Sequence, residues 1–228
     1  MEGCDLYHWN IYPSKNYYVL HIRTNMEEEN NKQIKPKMDF DKADKDLQEV
    51  KDVYDKHGVR FWLFAGTLLG AIRNKDYITY DHDMDCGMYF EDNDKIPKIF
   101  EELEKRGFRC MTGANMKTED GTYKYFSFKI HRNELIDMLC FIKIKDKRVY
   151  MHGGMPKGMI STWWSDAKFF DELDKINFRG TEYYIPKHVE EGLDLWYGNW
   201  RKPGGGAFWS YGIKMTVMPK IEFFNLIT

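Results

Sequence analysis

Apolar side chains recur at steps of three and four residues over residues 40–54, a spacing that places them on one face of a helix. Gly58 follows this stretch, and glycine is the residue that most often ends a helix. A second amphipathic stretch covers residues 96–106 and is closed by Gly107. Both are expected to be helices that pack on a core through one face. The apolar positions of the first helix are Phe40, Ala43, Leu47, Val50 and Tyr54.

Between and after these helices the pattern favours strands. Residues 59–65 are continuously apolar, and residues 135–144 are apolar except for Asp137 and Lys143, so both are expected to be buried strands. Residues 123–131 alternate between polar and apolar side chains, and residues 119–121 before them are typical of a hairpin turn. Strands are predicted at residues 59–65, 78–90, 108–111, 123–131 and 135–144, with further helices at residues 66–73 and about 186–197.

This order of elements indicates an α/β fold of the α+β kind, built on a mixed sheet. The 228 residues are 43% hydrophobic, which is enough for one sizeable core and too few for several independent domains. Residues 17–23 are β-prone, whereas residues 26–37 are polar and charged, as in a linker. We therefore expect an arm and linker over residues 1–38 and a single domain over residues 39–228.

Composition narrows the class of partner. The 34 Lys and Arg residues nearly balance the 36 Asp and Glu residues, for a net charge of −2, so no general basic field attracts nucleic acid or an anionic membrane. No segment approaches the roughly 20 apolar residues of a membrane span. The four cysteines are far apart and match neither a zinc site nor a disulfide framework, and Cys86 and Cys140 are expected to be small buried hydrophobes.

The N-terminus shows neither a signal peptide nor a transit peptide pattern. A cytoplasmic location is therefore expected, or the lumen of the secretory pathway if the chain is a fragment of a longer, anchored protein.

The stretch ITYDHDMDCG at residues 78–87 has an aspartate at every second position: Asp81, Asp83 and Asp85. On a strand these three would share one face, about 6.5 to 7 Å apart. Carboxylates crowded in this way repel one another, so a cation is expected between them, and Mg²⁺ or Mn²⁺ suits oxygen ligands best. The alternative interpretation is a solvent-facing edge strand, which the apolar flanking residues disfavour.

Asp137 is a lone carboxylate in the apolar stretch LIDMLCFI. A buried charge of this kind is paired or binds metal, so Asp137 either joins the other aspartates or forms an ion pair with an Arg or Lys. If its strand lies beside that of Asp83 and Asp85, the carboxylates match the ligands of a two-metal centre for phosphoryl transfer.

Gly66 and Thr67 stand where a predicted strand passes into a helix, a place where backbone N–H groups can approach a phosphate. Followed some 16 to 18 residues later by strand aspartates and then by Asp137, they match the ordered pattern of the polymerase-β-like nucleotidyltransferase fold.

The segment FAGTLLGAIRNKDYITYDHDMDCGMYFED, residues 64–92, closely resembles the signature of the LicD/fukutin family, in its fukutin-related form. The segments KHGVRFWLFAG, LIDMLCF and GTEYYIPKHVEEGLDLWYGNW resemble other parts of the family pattern, so the likeness covers roughly residues 45–203. It implies a nucleotidyltransferase fold in a LicD-like single catalytic domain.

The resemblance also implies an activity. Members transfer a phosphorylated alcohol of the phosphocholine, ribitol phosphate or glycerol phosphate type from a CDP-linked donor to a hydroxyl of a glycan or polysaccharide, with Mg²⁺, and release CMP. By this likeness Asp83, Asp85 and Asp137 are the catalytic residues and metal ligands, and Asp81 either is a further ligand or orients the ligands. Asp137 is the first candidate to take the proton of the acceptor.

Gly66, Thr67, Arg73 and Lys75 are expected to bind the donor. Arg73 is equally suited to bracing the aspartates, and Lys75 to being a solvated charge at a helix end. Residues 152–158, HGGMPKG, are compatible with a phosphate-binding loop and with a simple turn. The tryptophans of the C-terminal third offer a stacking surface, although core packing is the commoner role. They are Trp163, Trp164, Trp196 and Trp200.

Three other functions remain open. A nucleotide-sugar glycosyltransferase would explain Asp83 and Asp85, but neither Gly66 with Thr67 nor Asp137. A nucleotidyltransferase would share the fold and differ in which phosphorus is attacked. A non-catalytic glycan-binding domain would be expected to lack a metal ligand, and all four aspartates are present.

Overall fold

The computed structural model describes residues 11–14, 17–20, 37–152, 159–203 and 214–227, which fold around one large mixed sheet. The strands are β1 (Ile11–Ser14), β2 (Tyr17–Leu20), β3 (Phe61–Leu63), β4 (Met84–Tyr89), β5 (Arg109–Thr112), β6 (Asn115–Lys117), β7 (Tyr123–Tyr125), β8 (Ser127–His131), β9 (Leu135–Ile144), β10 (Lys147–His152), β11 (Met159–Asp166), β12 (Leu173–Phe178), β13 (Thr181–Pro186) and β14 (Lys214–Pro219). The helices are α1 (Phe40–Lys56), α2 (Ala65–Arg73), α3 (Ile96–Lys105), α4 (Val189–Tyr197) and α5 (Lys220–Ile227), and short 3₁₀ helices cover Phe90–Lys95 and Ala167–Phe169. No helix in these ranges is both long and apolar enough to cross a membrane.

The sheet order is β1-β2-β14-β11-β10-β9-β4-β3-β13-β12, and β5 and β8 branch from it beside β9. The pairs β4 with β9 and β3 with β13 are parallel, whereas the other paired strands are antiparallel. Strand β9 is central, as predicted: β4 flanks it on one side, and β8 and then β10 flank it on the other. Strands β6 and β7 form a separate hairpin, whose turn lies at the predicted residues 119–121.

Helix α1 confirms the amphipathic prediction almost to the residue. The Asp39 side chain caps its start by accepting a hydrogen bond from the backbone N–H of Lys42 (3.3 Å). The chain leaves the helix at Gly58, which has a φ of 62° that glycine adopts without strain. Its apolar face is buried against the sheet and α3.

The predicted strand over residues 78–90 is wrong at its start. Residues 78–81 form a turn in which the backbone N–H of Asp81 donates to the carbonyl of Ile78 (2.9 Å), and the strand begins only at Met84. Tyr80 in this turn is 64% exposed. Asp81 and Asp83 therefore lie in the loop that enters β4, and strand alternation does not align them with Asp85.

Other predicted boundaries shift for similar local reasons. The strand expected over residues 59–65 covers only Phe61–Leu63, because Ala65 has a φ of 40° and begins α2. The strand expected over residues 123–131 divides into β7 and β8, because the N–H groups of Phe126 and Ser127 turn to the carbonyl of Ala114 (2.8 and 3.2 Å).

The helix predicted from about residue 186 begins at Val189 instead, because β13 runs through Pro186 and the chain passes through a left-handed residue, His188, before it coils. The sequence patterns predicted neither strands β10 to β14 nor helix α5.

The aromatic residues of the C-terminal third mostly fill the core. Trp163, Trp196 and Trp200 are buried and Trp164 is partly buried, so packing is the main role of these tryptophans. Cys86 and Cys140 are free and fully buried, as predicted. Residues 153–158 of the predicted loop at 152–158 lie outside the described residues, and of His152 only the backbone, at the end of β10, is described.

Asp46 on α1 fixes the turn that joins β8 to β9. Its carboxylate is fully buried, and it accepts hydrogen bonds from the guanidinium of Arg132 (2.7 Å) and from the backbone N–H groups of Asn133 (2.8 Å) and Glu134 (3.0 Å). Burial acts to raise the pKa of Asp46, but these hydrogen bonds together lower it by more, so the pKa lies below the usual range. The stability it contributes is present above a pH of about 4 and is lost as the pH falls through the lowered pKa.

We expect Asp46→Ala to lower the free energy of unfolding by about 3 kcal/mol, because it leaves a guanidinium and two N–H groups without their buried partner. Asp44→Ala is the matched control on the same helix. Asp44 is 30% exposed and pairs with Arg179 (2.8 Å), so its loss should cost less than about 1 kcal/mol. Urea unfolding of both variants measures the difference, and equal losses would contradict a special role for Asp46.

Candidate active site

The site is built where the start of α2 meets the start of β4. The residue before the helix, Phe64, is extended and offers no side-chain cap, so the first N–H groups of α2 need acceptors elsewhere. Asp85 supplies them: its side-chain Oδ2 accepts from the N–H of Gly66 (3.2 Å), and its carbonyl accepts from the N–H of Phe64 (3.0 Å). In return the N–H of Asp85 donates to Oγ1 of buried Thr67 (2.9 Å).

Gly66 is needed because two carboxylates occupy the space that a side chain would fill. A Cβ at this position would overlap Oδ2 of Asp81 and would lie 3.5 Å from Oδ2 of Asp85. The structure therefore brings together four of the predicted site residues, Gly66, Thr67, Asp81 and Asp85, through direct contacts or close packing.

Asp137 joins them through the sheet. It is the register partner of Asp85 on the parallel strand β4, and of Lys129 on the antiparallel strand β8. Paired residues project from the same face of a sheet, so Lys129, Asp137 and Asp85 form one row across three strands. The next row along, made of Met84, Ile136 and Ile130, is fully buried on the opposite face.

The carboxylates interact strongly with one another. Burial, followed by the negative charges of Asp83, Asp81 and Asp137, raises the pKa of Asp85 well above its usual range. Asp85 as a whole residue is only partly buried, but burial and the neighbouring negative charges both act to raise its pKa. Burial and the charge of Asp83 likewise raise the pKa of Asp81. The cluster therefore carries mutual repulsion that a cation would relieve.

Two tyrosines near Asp85 were not predicted as part of the site. Burial and then the charge of Asp85 raise the pKa values of Tyr150 and Tyr197 well above the usual range. The hydroxyl of Tyr150 is buried and has no hydrogen-bond partner among the described residues, while its ring packs edge-on against Phe64 (5.4 Å). Tyr197 lies in the segment quoted for the family likeness, which was a usable signal, whereas nothing in the sequence marked Tyr150.

Two predicted donor-binding residues stand apart from the carboxylates. Arg73 ends α2 and donates to the carbonyl of Trp200 (3.3 Å) and to the side chain of Asn74 (2.7 Å), so it braces the chain after α4. Lys75 is exposed beyond the C-terminal end of α2, one helix length from Gly66. Donor binding by either residue stays a prediction.

The carboxylates suit a hard divalent ion in chemical type. Oδ1 of Asp137 is buried and accepts no hydrogen bond from the described part of the chain, although the ammonium of Lys129 lies 2.7 Å away. Such an oxygen fits a metal ligand. Within the same residues, however, no three Asp, Glu, His or Cys side chains converge closely enough to bind an ion as they stand. The aspartate side chains would have to rotate towards one another to bind an ion.

Comparison with known proteins identifies the family. The domain described as "LicD/FKTN/FKRP, nucleotidyltransferase domain" matches residues 58–188, which is more than half of the chain. The chain belongs to this family. The LicD/FKTN/FKRP match confirms the resemblance and the predicted nucleotidyltransferase fold, and the mixed α/β sheet agrees with it.

The aligned segment is about two thirds of this LicD-family chain but a smaller share of each relative. Ribitol 5-phosphate transferase FKRP of Mus musculus is 51% identical over 162 residues, which are 65% of this chain and 30% of the relative. An uncharacterized protein of Rickettsia prowazekii (strain Madrid E) is 25% identical over 160 residues, 68% of this chain and 54% of the relative. The chain thus spans about half the length of the rickettsial relative and less than a third of FKRP.

Among solved structures, the lincomycin-bound lincosamide antibiotic adenylyltransferase LnuA is similar with a TM-score of 0.42 and 14% identity. The match covers 65% of this chain and 83% of LnuA. A likeness at this level supports no inference about the reaction.

Asp85→Asn should stabilise the chain in the absence of divalent ions. Because burial and the neighbouring carboxylates raise the pKa of Asp85 on folding, ionising Asp85 above a pH of about 4 costs more in the native chain than in the unfolded chain, so stability falls as the pH rises. Asparagine removes this effect and keeps an acceptor for Gly66. We expect the variant to be more stable than wild type at pH 7, by on the order of 1 kcal/mol, with a gap that closes as the pH falls towards 4.

Urea unfolding as a function of pH measures this gap. Asp120→Asn is the control of opposite sign, because hydrogen bonds from Thr118 and Thr122 hold the pKa of Asp120 at about 2, and its loss should weaken the chain at neutral pH. A wild type that is more stable than Asp85→Asn at pH 7 would contradict a pKa of Asp85 that is raised on folding.

Gly66→Ala should leave the fold nearly intact and displace Asp81. Its methyl group meets the movable end of a side chain, so the free energy of unfolding should change by less than about 1 kcal/mol. Gly70→Ala is the contrast: its Cβ would lie 2.6 Å from the backbone oxygen of Asp76, and it should cost about 2 to 3 kcal/mol. Urea unfolding measures the free energy of unfolding of both variants. A loss in Gly66→Ala as large as that expected for Gly70→Ala would contradict the view that only the Asp81 side chain has to move.

Proposed function

We propose that this chain is a Mg²⁺-dependent transferase that moves a phosphorylated alcohol of the ribitol phosphate type from a CDP-linked donor to a glycan hydroxyl and releases CMP. The observation that carries the proposal is the contact between the start of α2 and Asp85, with Asp137 beside it in register. It joins a helix N-terminus, which attracts phosphate, to carboxylates that attract cations.

The relatives support the same class of reaction. FKRP is named as a ribitol 5-phosphate transferase, and half of the aligned residues are identical to those of this chain. The aligned part includes less than a third of FKRP, so a donor alcohol and an acceptor carried over to this chain belong to the proposal.

Asp83, Asp85 and Asp137 would hold the ion, with Asp81 as a further ligand. When bound there, Mg²⁺ supplies positive charge that stabilises the attacking and leaving oxygens of a phosphoryl transfer. Gly66 leaves room for the carboxylates, and the N-terminus of α2, whose Gly66 N–H donates to Asp85 in the free chain, would lie beside the donor phosphates. Residues of the chain thus orient both the cation and the donor.

The transfer itself is an in-line displacement. An oxygen of the acceptor hydroxyl forms a bond to the phosphorus distal to the cytidine, and the bond from that phosphorus to the bridging oxygen breaks. CMP leaves with the electron pair. The hydroxyl proton passes to the carboxylate of Asp137.

A nucleotidyltransferase is the rival function, because the family domain carries that name. Such an enzyme would attack the phosphorus next to the nucleoside and release pyrophosphate from a nucleoside triphosphate. The two functions therefore differ in the small product that leaves.

The test incubates the chain with Mg²⁺ and a panel of CDP-ribitol, CDP-glycerol, CDP-choline and nucleotide-sugars, with and without candidate glycans, and measures CMP and pyrophosphate. We expect CMP from one CDP-alcohol, with loss of at least about 100-fold in Asp83→Asn, because a ligand of the ion is removed. Asp174→Asn, an exposed aspartate on β12, is the control and should keep full activity.

Pyrophosphate release from nucleoside triphosphates would favour the nucleotidyltransferase. Equal CMP release by wild type and Asp83→Asn would remove these carboxylates from the reaction. Release of neither CMP nor pyrophosphate from any donor in the panel, together with a melting temperature that Mg²⁺ does not change, would favour a binding domain.

A further inference from the structure

Lys129 forms a cationic contact with the carboxylate row. Its ammonium lies 2.7 Å from Oδ1 and 2.9 Å from Oδ2 of Asp137, and only the second contact has hydrogen-bond geometry. The pair is set by the sheet, because the two residues are register partners on β8 and β9. Lys129 therefore supplies a positive charge where the carboxylates need one.

The contact is accessible from solvent. Lys129 is 46% exposed, whereas Asp137 is 20% exposed, so the lysine can withdraw into water while the carboxylate stays in place. The turn next to this pair is anchored to α1 through Asp46, which holds both strand ends at a fixed register. The mobile partner of the pair is thus the ammonium.

A single ammonium compensates only part of the negative charge of the clustered carboxylates. Asp85 lies one strand further along the row, and burial, followed by the charges of three neighbouring carboxylates, raises its pKa. One charge at Asp137 leaves that repulsion in place, and a divalent ion between the strands would relieve more of it. Lys129 and such an ion would compete for the same oxygens of Asp137.

We propose that the ammonium of Lys129 takes the place of a divalent ion in the free chain, and that it leaves Asp137 when the ion binds. This inference rests on the proposed function, because it assumes that the carboxylates bind an ion. Lys129 is then a positioning residue that holds Asp137 ready and lowers the affinity of the site for the ion.

The experiment measures Mn²⁺ binding by calorimetry, and melting temperature with and without Mn²⁺, in the full chain. Lys129→Met and Lys129→Gln remove the charge and should bind Mn²⁺ about fivefold more tightly than wild type. Lys129→Arg keeps the charge and should bind Mn²⁺ no more tightly than wild type. Without the ion the neutral variants should melt below wild type, and saturating Mn²⁺ should close that gap.

Lys143→Met is the matched control. Lys143 lies on β9 and is also 46% exposed, and it pairs with Asp171 (2.6 Å) some 20 Å along the strand from Asp137. Its loss should change the melting temperature equally with and without Mn²⁺ and should leave Mn²⁺ affinity unchanged.

The outcomes separate the two proposals. Unchanged or weaker Mn²⁺ binding in both neutral Lys129 variants, with normal binding by wild type, would overturn the role of Lys129 and leave the proposed function standing. Absence of Mn²⁺ binding in wild type and in every variant would overturn both. Tighter binding in the neutral variants alone supports the exchange.

Discussion

The reciprocal hydrogen bonds between Asp85 and the start of α2 are the interaction on which the site depends. A helix that begins without a side-chain cap must find other acceptors for its first N–H groups, and here a strand residue provides them with both its carbonyl and its carboxylate. The same contact directs the helix N-terminus at the carboxylates. Gly66 makes the approach possible, because any larger residue would displace Asp81.

A second constraint is electrostatic, and the sheet imposes it. Register pairing puts Asp85 and Asp137 side by side and leaves them no freedom to separate. Lys129 offsets part of this repulsion with its positive charge. Asp46 anchors the turn between β8 and β9, and so fixes the strands that carry Lys129 and Asp137. The paired carboxylates therefore destabilise one end of β9, and the contacts of Lys129 and Asp46 a few residues away offset this cost.

Much of this could be predicted from sequence. The 3.6-residue period gave α1, the apolar run gave β9 in full, and the motif residues Gly66, Thr67, Asp81 and Asp85 do meet. The turn at residues 78–81 was missed because its β-branched and aromatic residues favour a strand until Asp81 bonds back to Ile78. The sequence allowed an Arg or Lys partner for Asp137 but could not identify it as Lys129, and it gave no sign of Tyr150. Both relations to the aspartates come from strand pairing and packing between distant segments, which no local pattern encodes.

The pairing of β3 bears on how the chain folds. β3 leads into α2, but one of its neighbours is β13, from the last quarter of the sequence, and Arg73 contacts a carbonyl 127 residues away. Such distant closures are entropically unfavourable until late contacts form, so topologies of this kind fold slowly. During synthesis the motif would leave the ribosome long before the strand that secures it. The newly made N-terminal half would then wait with its apolar strand β3 uncovered, which is the stage at which chaperone binding matters most.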